Sequence, residues 1–182
     1  MTLRLRALEA HVPDVVARAA VRRLFAATSS AFGCRPLDLR GSDLPALLER
    51  YARFTSACAE RALDDGHDLE RISGSMWTNG HALGRSLRRR LGVRTLGEAL
   101  RAARVAYAII GIDLRVDPGG RVIVDRCAFA DRYSPRTCGL MSSLDAGLIA
   151  GLTSGGRLSF SERITEGSQR CLARISWQAG RV

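Results

Sequence analysis

Along the first 110 positions apolar residues recur at three- and four-residue steps, and beyond Gly111 they alternate with polar ones. The first rhythm predicts helices and the second predicts strands. Ala7, Leu8, His11, Val15, Val16, Ala19, Ala20 and Arg23 trace one helix over residues 7–30, with Pro13-Asp14 able to reset its start. Gly33, Pro36 and Gly41 make Phe32 to Gly41 a loop. Ser42-Asp43 ahead of Leu44-Pro45 is a helix start, and Leu44, Leu47, Leu48, Tyr51, Phe54, Thr55 and Cys58 carry that helix to about Leu63. Asp64-Asp65-Gly66 ends it. A third helix spans Leu69 to Leu91, with Ile72, Met76, Leu83 and Leu87 inward. Its Gly74, Gly80 and Gly84 each lower helix stability by about 1 kcal/mol against Ala, which close packing against another helix would offset. Thr95 with Glu98 is a capping box opening a fourth helix to about Ile110.

Ile112–Val116 and Arg121–Arg126 alternate around Asp117-Pro118-Gly119-Gly120, which is a β-hairpin pattern. Cys127 to Arg136 is irregular, Thr137 to Leu152 reads as a helix, and Leu158–Thr165 and Cys171–Trp177 read as two more strands. Helices followed by hairpin, helix and hairpin predict an α+β fold with a small antiparallel sheet. The expected organisation is one domain over 1–182, helical over 1–110 and α+β over 111–182.

Composition narrows the function classes. With 182 residues, 46% hydrophobic and 25% charged, the chain matches a globular protein, and no apolar run approaches the ~20 residues of a membrane span. The formal charge of +10 raises a nucleic-acid reading. All 28 basic residues are Arg, however, which fits the codon usage of a GC-rich genome better than a surface shaped for phosphate. Arg85 to Arg104 holds seven of them with one acid, Glu98, and only Tyr107 nearby as an aromatic. Binders of nucleic acid interleave such a stripe with exposed aromatics or a reading helix, so a solvated helix face is expected instead. Five cysteines, an odd number, and a start without a secretory signal point to the cytoplasm and free thiols.

Cys127, Cys138 and Cys171 fall at the ends of predicted elements, where side chains of different elements converge. Cys138 at a helix start would face unpaired N–H groups, a setting that lowers a thiol pKa. Helical spacing puts Cys138, Met141, Ser142, Asp145 and Ile149 on one face. Asp145 there would pair with an Arg or carry a raised pKa; the alternative is a buried small Cys138 and an exposed Asp145. Three thiolates with water or Asp145 could hold zinc, although no C-x2-C pair is present and His11, His67 and His81 lie far upstream. No His follows to activate Ser142 or Ser143, and without Lys there is no phosphate loop. Trp77 and His81, one turn apart with Asn79 between them, either line a pocket or pack as ordinary helix residues.

Cys127-Ala-Phe129, Tyr133, Cys138 opening a helix with Asp145, Glu162-Arg163-Ile164-Thr165-Glu166-Gly167 and Cys171 together resemble the L-2-amino-thiazoline-4-carboxylic acid hydrolase family, over residues 105–177. The Gly167-x3-Cys171 end is also similar to ligand-binding domains of the 4-vinyl-reductase type. Ser168 stands where the resemblance would place an acid. The resemblance implies ring-opening hydrolysis of a 2-aminothiazoline carboxylate, a cyclic amidine. Cys138 would attack the amidine carbon, or Asp145 or Glu162 would activate a water. Arg163 would bind the carboxylate, and Cys127, Cys171, Tyr133 and Ser142 would line the pocket. Glu162 and Arg163 are strand neighbours, so one of them is expected to face water. No cofactor is expected beyond the zinc alternative. A small molecule is the expected partner, with a homodimer compatible with the sequence; a binding or sensing module and a nucleic-acid binder are the alternative functions.

Overall fold

The computed structural model describes residues 2–35, 37–39, 41–66 and 68–177; Pro36 and His67, named above, lie outside them. Helices α1 (Leu3–Ala10), α2 (Asp14–Phe32), α3 (Leu44–Asp64), α4 (Leu69–Leu91) and α5 (Leu96–Ile109) precede strands β1 (Ile112–Val116) and β2 (Arg121–Cys127). Helix α6 (Pro135–Thr153), strand β3 (Arg157–Glu162), a 3-10 turn over Ile164–Glu166 and strand β4 (Cys171–Ser176) complete the chain. The α+β architecture is therefore the expected one, with hairpin, helix, hairpin in the second part. All strand pairs are antiparallel, in the order β1-β2-β4-β3.

Several helix starts are capped by the side chain of the residue just ahead of them. Asp43 accepts from the N–H of Ala46, Asp68 from that of Arg71 and Ser134 from that of Thr137. Thr95 and Glu98 form the reciprocal capping box. The predicted first helix is instead two helices, divided at Pro13, which lacks an N–H to continue the ladder. Its expected stripe also fails: Val15 and Val16 are exposed, while Ala17, Val21, Phe25 and Thr28 turn inward. Alanine on every face of this segment leaves several stripes equally apolar, and the bulky Phe25 decides among them.

Two cores meet at α6. One lies between α5, α6 and the inner sheet face and includes Leu114, Val122, Val124, Ile149, Leu152 and Ile175. The other lies among α2, α3 and α4 and includes Phe25, Tyr51, Met76, Met141 and Leu144. A helix apolar on all sides is one that is covered on all sides. Glycines bring α6 against α4 with backbones in contact. A Cβ on Gly80 would lie 3.0 Å from the Leu148 nitrogen, and one on Gly84 would lie 2.8 Å from that of Leu152. On α6, a Cβ on Gly147 or Gly151 would lie 2.9 Å from the nitrogen of His81 or Arg85. Gly80 and Gly84 thus serve the close packing expected of them, whereas Gly74 has nothing within 4 Å.

Candidate functional site

Asp145 lies at the seam of the two cores, one residue beyond Leu144 of the helical core and four before Ile149 of the sheet core. A small cavity of about 70 Å³ opens on each side of it. The first is floored by the sheet and lined by Cys127, Cys138, Ser142, Ile149, Phe160 and Cys171 among others. The second is lined by Tyr51, Phe129, Tyr133, Met141 and Leu144 among others. Asp145, Tyr107 and Ile112 border both. Larger surface grooves exist, one of about 680 Å³ beside α1, α5 and β1, but that one holds no thiol and lies apart from Asp145.

The carboxyl of Asp145 accepts a 2.8 Å hydrogen bond from the Tyr107 hydroxyl, its only hydrogen-bond partner among the described residues. Burial raises its pKa to about 6; the Tyr107 bond and then the Arg163 charge act in the opposite direction. Tyr107 itself is pushed well above the usual phenol value by burial and by the Asp145 charge. The expected face of α6 is real: Cys138, Ser142, Asp145 and Ile149 line the first cavity, and Met141 lines the second.

Cys138 departs from expectation. Ser134 caps α6 and Pro135 occupies its first turn, so Cys138 sits one turn further on, with its own N–H bonded to the Ser134 carbonyl at 2.9 Å. No unpaired amide of that residue remains for its sulfur. Burial raises the thiol pKa, against the pull of the Thr165 hydroxyl and the Arg163 charge. Cys127 is pushed up to about 11, chiefly by burial. Cys171 is also raised by burial, and its sulfur accepts a 3.3 Å bond from the Ile164 N–H. All three thiols converge on one cavity, and each is held toward its protonated form. Among the described residues no three His, Cys, Asp or Glu side chains are arranged to hold a metal ion.

The strand expected over Leu158–Thr165 ends at Glu162, and Arg163 opens the 3-10 turn that follows, so the two are not neighbours on one strand. Simple alternation from Leu158 and Phe160 would aim Glu162 inward. A bulge at Ser161 instead pairs Phe160 with Ala173 and Glu162 with Leu172. Glu162 is accordingly exposed and borders neither cavity. Arg163 lies over the Phe160 ring at 5.0 Å and bonds Glu166 at 3.2 Å. Its Nε is buried without a hydrogen-bond partner among the described residues. Tyr133 stacks on Phe129 and shares a 2.5 Å hydrogen bond with Thr55. The Ser142 hydroxyl is engaged with its own helix, donating to the Cys138 carbonyl at 2.8 Å.

Tyr107 is a site residue that no motif of the sequence marks. The signal was its place in the apolar stripe of α5, which sends a phenol tip into the interior, where such a tip needs a partner. Upstream, Trp77 stacks on His81 with centroids 5.0 Å apart, and Asn79 donates to the Ala27 carbonyl. None of the three lines either cavity. The Arg85–Arg104 segment is divided between α4 and α5. Within it Arg88 donates to the Leu152 carbonyl and Arg101 pairs with Glu9, so part of its charge serves packing. No helix among the described residues is long and apolar enough to cross a membrane. Neither a family model nor a curated protein matches this chain.

Proposed function

We propose that this chain binds a compact, largely apolar ring in the space around Asp145, with Asp145 and Tyr107 reading one cationic or N–H-donating group. One observation carries the reading: a half-buried carboxyl with a single hydrogen-bond partner among the described residues borders two cavities at once. A buried carboxylate is stable only when paired or hydrogen-bonded, so a donor placed against its free lone pairs gains a strong interaction. Two cavities of about 70 Å³ are far below the size of drug-binding pockets. Joined, they approach the roughly 150 Å³ in which an apolar cavity holds benzene. A cyclic amidine, the class that the resemblance implies, meets both the size and the charge requirement.

Hydrolysis is the second reading, favoured by the Asp145 pKa of about 6. A carboxylate there accepts a proton near neutral pH better than an ordinary aspartate does. Water would add to the amidine carbon while Asp145 takes its proton, and Asp145 would return that proton to the ring heteroatom as its bond to that carbon breaks. The thiols are poorer starting nucleophiles because burial keeps them protonated. Arg163 lines neither cavity, but its charge acts on Asp145 and Cys138 and its Nε is unsatisfied, which makes it the proposed partner of a substrate carboxylate.

The test is NMR-monitored titration with 2-aminothiazoline and 2-aminothiazoline-4-carboxylate, repeated on Asp145→Asn. Saturable shifts at α6 and α5 resonances that weaken at least tenfold in the variant support binding. Ring opening in the same tube, absent with the variant, supports turnover. Equal affinity for wild type and variant would sink the Asp145 reading.

A further inference from the structure

The remaining two cysteines lie away from this chamber and touch each other. Helix α2 ends at Phe32, after which Gly33 takes the left-handed conformation at φ 68°. The N–H of Gly33 then bonds the Ser30 carbonyl at 3.2 Å and that of Cys34 bonds the Ser29 carbonyl at 2.9 Å. This closing motif fixes the backbone of Cys34 against the end of the helix. Cys58 lies on α3, on the same side as Tyr51 and Thr55. Edge-on and tilted contacts of Phe25 with Tyr51 and Phe54, at 5.1 and 5.4 Å between centroids, hold α2 and α3 together. From these two fixed positions the sulfurs of Cys34 and Cys58 approach to 3.2 Å across 24 residues of sequence.

We propose that Cys34 and Cys58 are a redox-modification site that closes to a reversible disulfide, with a low-molecular-weight disulfide such as oxidised glutathione as co-reactant. A disulfide bond is about 2.05 Å long, so closure needs roughly 1.2 Å of approach, which small side-chain rotations supply. Both residues are half-buried, open enough for a small oxidant and sheltered from larger ones. No sulfur–sulfur hydrogen bond joins Cys127, Cys138 and Cys171, so the pair is set apart from the chamber thiols by contact as well as by position.

In the resting pair Cys58 is pushed up to about 12, first by burial and then by the neighbouring thiol. Exchange therefore starts at Cys34. Its thiolate attacks one sulfur of the oxidised co-reactant and expels a thiolate, leaving a mixed disulfide on Cys34. Cys58 then gives its proton to solvent, attacks the Cys34 sulfur and expels the second thiolate. Two protein thiols are oxidised and one small disulfide is reduced to two thiols. The new bond would tie the α2–α3 loop to α3. That helix also grips the approach to α6, through Thr55 on Tyr133 and Ser56 on the Arg132 carbonyl. Closing a loop of this length should raise Tm by roughly 7–14 °C in a chain of this size.

The experiment equilibrates the full-length protein in glutathione buffers of graded oxidation, blocks free thiols, and maps the peptides without reduction. The expected result is a loss of about 2 Da, one cross-linked peptide holding Cys34 and Cys58, three alkylated chamber thiols, and a higher Tm. Cys34→Ser and Cys58→Ser should each abolish the mass loss; if either fails to fold, the wild-type peptide map decides alone. A bond mapped to any other pair overturns the proposal, as do separate glutathione adducts on Cys34 and Cys58. A cross-link that leaves Tm unchanged overturns the stapling role. None of these outcomes depends on what the chamber binds.

Discussion

Replacing Gly147 with Ala tests the contact on which the placement of Asp145 depends. The new Cβ would lie 2.9 Å from the His81 nitrogen and closer still to the Trp77 carbonyl oxygen. Ordinary contacts between such atoms start near 3.5 Å. The obstructing atoms belong to helix backbone, so no side chain can rotate away; α4 and α6 must separate by more than half an ångström. Overpacking of this kind destabilises by about 1–3 kcal/mol, and by more when backbone must move. Alanine's better helix propensity offsets about 1 kcal/mol. The net expectation is a loss on the order of 2 kcal/mol, or a Tm lower by about 4–8 °C for a chain of this length. Gly74→Ala is the control: nothing lies within 4 Å of its added methyl, so the same chemistry should raise Tm by about 2–4 °C. Paired thermal and urea melts decide the matter. If Gly147→Ala were as stabilising as Gly74→Ala, the two helices would not be in backbone contact, and the inference that α6 is locked in register against α4 would be wrong.

Other outcomes follow from the same geometry. Asp145 has its pKa raised from 3.8 to about 6 in the folded state, so its stability contribution is intact below pH 3.8 and lost as pH rises through 6. Asp145→Asn should therefore match wild type near pH 3.5 and exceed it above pH 7 by a margin on the order of 3 kcal/mol, read by urea melts across pH; a gap independent of pH would refute the burial of a titrating carboxyl. Tyr107→Phe removes a bond that favours the carboxylate, so the Asp145 carboxyl resonance should titrate higher than in wild type, and stability near neutral pH should fall by about 1–3 kcal/mol. Cys127, Cys138 and Cys171 should alkylate with iodoacetamide more slowly than an unperturbed thiol at pH 8, with rates still rising above pH 9; fast labelling of Cys138 at pH 7 would restore the thiolate reading.

The elements and their order were legible because their signals are local. Asp43 before Pro45, Thr95 with Glu98, and the alternation around Asp117–Gly120 each act within a few residues, and each formed as read. The shared face of Cys138, Ser142, Asp145 and Ile149 was equally legible, since helical periodicity alone sets it. What the sequence hid depends on distant partners. The bulge at Ser161 turned Glu162 to solvent, and no residue of β3 announces it without the register of β4. Val15 and Val16 came to face water because Phe25 packs against Tyr51 and Phe54 of another helix. The Cys138 thiol lacks the lowered pKa of a helix start because Ser134 and Pro135 begin α6 one turn before it and burial outweighs the helix dipole there.

The composition of α6 bears on the setting of Asp145. After Arg136 the helix carries no charge except this one, and leucines, an isoleucine, alanines and glycines make up most of the rest. Such a helix must be covered all round. Covered by two cores, it holds its one carboxyl where ionisation is unfavourable, and the protein is less stable at neutral pH for having it. Asparagine would keep a partner for the Tyr107 hydroxyl without the cost of ionisation. Structural ion pairs also perturb carboxyl groups, but Asp145 forms no ion pair among the described residues and borders open space on both sides. A perturbed acid with one tyrosine partner, set between two cavities, is an arrangement that favours a ligand over the fold alone.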